Sequence, residues 1–278
     1  MLFTKMKKIN FPLLAVLFLM NNGVLAQGNN PSQKMKIFIN GLMKKMNLEE
    51  KIGQLNLPSA GDITTGQAKS SNIAQKIREG KVGGLFNVKS VAKIKEIQRV
   101  AVEESRLKIP LMFGMDVIHG YETVFPIPLG LSCTWDLQAI ELSARIAAIE
   151  ASADGINWTF SPMVDIARDP RWGRVMEGAG EDTYLGSKIA YARVKGFQGK
   201  KLGDINAVMA CVKHFAAYGA AIGGRDYNSV DMSDRMLWET YLPPFKSALD
   251  AGAATFMNSF NDLNGVPATG NKYLQRDI

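Results

Sequence analysis

RDPRWGRVMEGAGED, residues 168–182, gathers three arginines, four acids, one tryptophan and three glycines into one stretch. Pro170 and the glycines at 173, 178 and 180 forbid a long helix or a central strand, so the segment is a loop. Its neighbours decide what kind of loop. Before it runs NWTFSPMVDI (157–166), apolar and strand-like; after it runs DTYLGSKIAYARVKGF (182–197), helix-like. A polar loop that follows a strand and precedes a helix is where α/β folds keep their chemistry.

Working outward, the same alternation recurs. Short β-rich runs occur at VGGLFNV (82–88), PLMFGMD (110–116), NWTFSPMV (157–164), AVMACVKHF (207–215) and AATFMNSF (253–260). Amphipathic helices are predicted between them, at 89–107, 136–154, 182–199 and 233–251. Asp136, Asp182 and Ser233 are the expected N-caps, Gly155, Gly199 and Gly252 the expected stops, and Pro243 and Pro244 should break the last helix near Leu242. The strands are continuously apolar, as burial on both faces of a parallel sheet requires. Helix-to-strand connections are short and strand-to-helix connections long, so one face of the sheet is elaborated. Asp116, the 168–182 loop, Lys213, His214 and Asn258 all fall at or just past the C-terminal ends of strands. That pattern predicts an α/β fold of TIM-like (β/α)8 barrel type, with about five strand–helix units present and the C-terminal remainder truncated. A doubly wound sheet competes, but no GxGxxG follows a strand and no GxxxxGK[ST] occurs. NKYLQRDI (271–278) reads as the first two turns of a helix capped by Asn271.

Towards the N-terminus, Lys5, Lys7 and Lys8 precede an apolar run from Phe11 to Met20 and then Val24-Leu25-Ala26. This is the pattern of a signal peptide over 1–26, cleaved after Ala26, and its apolar run is too short to span a bilayer. Residues 27–278 are then the N-terminal part of one barrel domain, opened by a polar linker (27–33), a helix from Lys34 to Met46, and a second helix, NLEEKIGQL (47–55), with Asn47 and Glu50 placed for a capping box. Removing 1–26 takes three lysines and lowers the formal charge from +7 to 7 − 3 = +4. With no long Lys/Arg run and no repeated aromatics, nucleic-acid binding is not indicated. Cys133 and Cys211 lie in different segments; a pairing is open, and Cys211, in an apolar strand, reads more easily as a buried thiol. The only histidines are His119 and His214, so no metal cluster of ligand spacing exists and no cofactor is expected.

Several stretches together resemble glycoside hydrolase family 3, in its N-terminal domain and its exported bacterial β-glucosidase type: KIGQL (51–55), VGGLFN (82–87), GMDVIHGYETVFPIPLGL (114–131), SPMVDIARDPRWGR (161–174), EGAGED (177–182), VKHFAAYG (212–219) and MNSFNDLNGVPATGN (257–271). The resemblance implies a retaining, exo-acting β-glucosidase, periplasmic or secreted, acting on terminal β-linked glucose of glucosides or oligosaccharides. It implies that Asp116, Arg174, Lys213 and His214 hold the terminal sugar and that Met257 lines the same pocket. Phe260 stands where relatives often carry tyrosine, and Glu122 where a basic or polar residue is commoner. The family's nucleophile, an aspartate in an SDW-like motif, is expected just beyond Ile278, and its acid/base glutamate in a second domain, so the 278 residues alone should not hydrolyse. A β-xylosidase of the same family and a non-catalytic sugar-binding product are the alternatives. An N-acetylglucosaminidase would need a second histidine after KHF, and AAYGAAIGGRDY (216–227) has none; an aldolase using Lys213 as a Schiff base would need a dry site.

The chemistry of the residues points the same way. A pyranose presents vicinal hydroxyls; a carboxylate can accept from two of them while a guanidinium and an ammonium donate to others, each charged hydrogen bond being worth about 1.5–3 kcal/mol. Adjacent residues of a regular strand point to opposite faces, so Lys213 and His214 can serve one pocket only if β geometry breaks there, by a bulge or a non-proline cis bond. Trp172 is expected to pack rather than to stack on a sugar, and Glu181 and Asp182 to cap the following helix rather than to react.

Overall fold

The computed structural model describes residues 31–60 and 71–278. The expected signal peptide over 1–26 lies outside the described residues, as does most of the 27–33 linker. The described residues fall into two compact units, divided between Asn47 and Leu48. In the first, α1 (Pro31–Lys45) is a helix whose last turn carries Lys44 and Lys45, where cations favour the helix dipole.

The second unit holds the predicted alternation. In chain order it comprises α2 (Leu48–Gly53), α3 (Ile73–Arg78), β1 (Gly84–Phe86), α4 (Val91–Arg99), β2 (Met112–Met115), α5 (Pro128–Ser132), α6 (Leu137–Ala153), β3 (Trp158–Thr159), α7 (Thr183–Gln198), β4 (Met209–Phe215), α8 (Asp234–Met236), α9 (Pro243–Asp250) and β5 (Thr255–Asn258). A small antiparallel pair follows, β6 (Asp262–Leu263) with β7 (Val266–Pro267). β1 to β5 pair in parallel and strictly in chain order, forming a curled half-barrel. A doubly wound sheet reverses its strand order at a switch point, and no reversal occurs among these five.

Local chemistry sets the boundaries. Asp136, Asp182 and Ser233 accept hydrogen bonds from the backbone N–H groups of Ala139 (2.9 Å), Leu185 (2.6 Å) and Met236 (3.3 Å), as N-caps do. Gly155, Gly199 and Gly252 end their helices with positive φ of 92°, 63° and 91°. The expected break near Leu242 is a wide turn over Leu237–Tyr241 that delivers the chain to Pro243 at the start of α9. Asn271 does cap the final turn, accepting from Leu274 N at 3.3 Å.

β3 is shorter than its 157–164 run, yet the ladder to β4 continues. Pro162 has no N–H to give, and the carbonyls of Ser161 and Pro162 accept from Cys211 N (3.1 Å) and Lys213 N (3.0 Å). At the opposite end of the strands Gln198 replaces backbone pairing. Its amide donates to Gly252 O (2.8 Å) and accepts from Ala210 N (3.2 Å) and Ala254 N (3.0 Å). The core runs between sheet and helices through Leu85, Phe113, Ile156, Val208, Ala210, Val212 and Phe245. α7 lies so close to α6 at Gly196 that a β-carbon there would overlap the Glu141 carbonyl oxygen and sit 2.7 Å from Ala144 Cβ. Glu50, placed by sequence for a capping box, sends its carboxylate to Arg106 at 2.9 and 2.5 Å.

Candidate sugar-binding site

The elaborated end of the half-barrel is formed by residues 116–127 after β2, 160–182 after β3, 216–233 after β4 and the segment after Asn258. Lys213 sits in β4 with its side chain 4% exposed, and its Nζ donates to Asp116 Oδ1 at 2.8 Å. The Asp116 side chain, just past β2, is 38% exposed, so the pair has one sealed member and one that faces water. Met257 lies beside Lys213 in the β4–β5 register and is half-buried.

Both Lys213 and the next residue serve this end of the sheet. The β4–β5 register shifts between Lys213 and Phe215, and the Lys213–His214 peptide bond is cis, so the expected departure from regular β geometry is present. His214 is 2% exposed. Its ring Nδ1 lies 2.8 Å from Asp165 Oδ2, and its backbone N donates to the same oxygen at 3.0 Å.

Arg174 closes the RDPRWGR turn and forks onto Glu177, Nε to Oε1 at 2.6 Å and Nη2 to Oε2 at 2.8 Å. Burial pushes the Glu177 carboxyl up, but the hydrogen bonds and charge of Arg174, with the nearby charge of Lys213, outweigh it and leave the group below its ordinary value. Burial likewise pulls the Arg174 guanidinium down, and Glu177 more than restores it, leaving it raised. The guanidinium lies over the Tyr218 ring, 5.6 Å from its centroid, and the same ring meets His214 edge-on at 5.1 Å and Trp172 at 5.2 Å. Tyr218 is therefore the hub that joins the 168–182 loop to β4. Gly219 beside it approaches Ile166 so closely that a β-carbon would overlap the Ile166 carbonyl oxygen.

All five residues expected from the sequence thus fall in one cluster: Asp116 on Lys213, Lys213 beside Met257, and Arg174 and His214 sharing Tyr218. Trp172 is 1% exposed, with Nε1 donating to Asp226 Oδ1 at 3.0 Å, so it packs as expected. Asp182 is an N-cap, Cys133 and Cys211 are both free thiols with Cys211 buried, and exposed Glu122 meets Lys89 at 2.5 Å. The Phe260 ring lies 6.4 Å from that of His214 and 5.0 Å from that of Tyr227, an apolar face without a hydroxyl. Sequence reasoning passed over three members: Asp165, Glu177 and Tyr218. Each sits inside a stretch that was singled out, and the available signal was a lone acid or aromatic within an apolar or glycine-rich run. Chemically, the cluster offers cations and carboxylates to several hydroxyls at once. Each of its carboxylates is already tied to a cation or a ring nitrogen. Among the described residues no group of three or more His, Cys, Asp or Glu side chains is arranged to hold a metal ion, and no helix is long and apolar enough to cross a membrane.

The periplasmic β-glucosidase of Salmonella typhimurium is 48% identical over 253 residues, 90% of this chain and 32% of its own length. A putative β-xylosidase of Formosa agariphila is 31% identical, over 88% of this chain and 35% of its own. A crystal structure of the β-glucosidase from Listeria innocua in complex with glucose superposes with a TM-score of 0.78 and 44% identity, covering 86% of this chain and 35% of that one. The chain spans about a third of the length of the relatives it matches. Residues 47–278 match the glycosyl hydrolase family 3 N terminal domain, and the chain belongs to that family.

Proposed function

We propose that the cluster of Asp116, Lys213, Arg174, His214 and Met257 is the terminal-glucose subsite of a retaining, exo-acting β-glucosidase, which removes non-reducing β-D-glucosyl residues from β-linked glucosides and oligosaccharides. The observation that carries the reading is the Asp116–Lys213 pair, one member sealed and one open, at the elaborated end of the sheet. A hydroxyl donating to Asp116 and accepting from Lys213 would enter that pair without stranding either charge. The kinship with glucosidases, one of them solved with glucose bound, supports the same sugar. Because every carboxylate here is already engaged, the cluster binds and orients, and the nucleophile and acid/base are carboxylates outside it. Periplasmic residence follows the basic and apolar pattern of 1–26 and the compartment in the Salmonella relative's name.

Kinship with xylosidases keeps one second reading, a β-xylosidase, whose sugar lacks the C6 hydroxymethyl group. Titration calorimetry of the chain with glucose and with xylose separates them. Saturable glucose binding that is weakened in Asp116→Ala and exceeds xylose binding is expected. Preference for xylose, or glucose binding indifferent to Asp116, would overturn the assignment.

A further inference from the structure

We infer that Asp165 is the positioning residue of this site: it fixes the His214 imidazole with its proton on Nδ1, so that Nε2 is the atom offered to a sugar hydroxyl. The inference rests on the glucose-subsite reading and adds to it which atom of His214 does the binding and what holds it there.

The Asp165 side chain is 0% exposed and that of His214 2%. One carboxylate oxygen, Oδ2, takes both the ring Nδ1 at 2.8 Å and the backbone N–H of the same histidine at 3.0 Å. An ionised carboxylate can only accept, so Nδ1 must carry the hydrogen. Two contacts to one residue from one oxygen fix the ring plane as well as the tautomer, and the edge-on Tyr218 ring at 5.1 Å and the Phe260 ring at 6.4 Å flank it. The other ring nitrogen is different. Nε2 makes no hydrogen bond within the described residues, and it is not among the buried polar atoms left without a partner, so it opens outward. A histidine whose Nδ1 is satisfied and whose Nε2 is free has one direction in which to recognise a ligand. Asp165 Oδ1 has no partner at all. A carboxylate kept dry with half its capacity unused is costly for stability alone, which favours a role exerted through the histidine.

The chain contains only two histidines, His119 and His214, and His119 is exposed, so the test is spectroscopic. The chain is prepared with 15N-labelled histidine, His119→Gln assigns the signals, and long-range 1H–15N correlations read the protonation of each ring nitrogen, without and with glucose. The expected result is a His214 Nδ1 that carries a proton, with glucose moving the Nε2 resonance and not the Nδ1 resonance. In Asp165→Ala the acceptor for both the ring Nδ1 and the backbone N–H is gone; the expectation is a His214 that loses the Nδ1–H signature and glucose affinity down about tenfold, for one lost charged hydrogen bond. Unchanged far-UV circular dichroism checks that this variant is folded, and the wild-type spectrum needs no variant at all. A wild-type His214 in the Nε2–H tautomer, or a folded Asp165→Ala chain that keeps the Nδ1–H signature, overturns the inference. Glucose that binds without moving Nε2 overturns the role of His214. No glucose binding, with the Nδ1–H signature intact, overturns the glucosidase reading and leaves the positioning by Asp165 standing.

Discussion

Removing either partner of the Asp116–Lys213 pair should have unequal consequences for stability. In Asp116→Ala the ammonium of Lys213, 4% exposed, loses the anion 2.8 Å away. Glu177 feels the charge of Lys213, but both its oxygens are held by Arg174. Stranding one charge of a buried pair costs about 3–5 kcal/mol; with Glu177 nearby the low end applies, about 3 kcal/mol. Lys213→Met removes the sealed charge, keeps an unbranched apolar stem in its place, and leaves a carboxylate with more than a third of its surface in water. An exposed carboxylate released from its partner costs about 0–1 kcal/mol. The expected gap between the two variants is therefore about 2 kcal/mol. Urea unfolding followed by far-UV circular dichroism measures it: with a slope of about 3 kcal/mol per molar for a domain of this size, the Asp116→Ala midpoint should fall about 0.7 M below that of Lys213→Met. Equal midpoints, or a lower one for Lys213→Met, would refute the argument that burial asymmetry governs this pair.

Four further outcomes follow from the geometry. Trp172→Phe loses the indole donor to Asp226 and part of a fully buried ring, and should destabilise the chain by about 1–3 kcal/mol in the same urea assay. Gly219→Ala should lower the melting temperature sharply, because its β-carbon meets the Ile166 carbonyl oxygen, whereas Gly173→Ala, with open space around it, should leave it unchanged. Glu177 has a folded-state pKa held below its ordinary value, so its contribution is present above the unfolded value, about 4.3, and is lost as pH falls through the folded one. Urea midpoints of wild type and Glu177→Gln should accordingly differ at pH 6 and converge in the acid limb below about pH 4. Mass spectrometry after brief iodoacetamide treatment should find Cys133 alkylated and Cys211 untouched, the first being exposed and the second buried with its thiol pushed up by that burial.

The barrel layout was legible because its determinants are local. Apolar runs locate β1 to β5, and Asp136, Asp182 and Ser233 each cap a helix three residues away in sequence. Loop lengths fixed which end of the sheet would carry the site, and the polar residues at that end supplied Asp116, Arg174, Lys213 and His214. The partners of those residues were not legible. Asp165 is 49 positions from His214, and Glu50 is 56 from Arg106. Glu50 shows this: nothing in its spacing from Asn47 announces the guanidinium of Arg106 that its carboxylate meets in the folded chain. Tyr218 escaped for a related reason. An aromatic within KHFAAYG reads as core, and nothing in its spacing says that Arg174 and His214 will share its ring.

The pairing of charges within the cluster also decides how a ligand arrives. Lys213 and Arg174 are each neutralised within about a hydrogen-bond length, by Asp116 and Glu177. At distances beyond the Debye length, about 8 Å at physiological ionic strength, the two pairs present dipoles rather than a net field. An uncharged sugar gains nothing from long-range attraction, and these two pairs offer none. Encounter of a neutral sugar is left to diffusion and shape, so its association rate should be nearly flat across a salt titration.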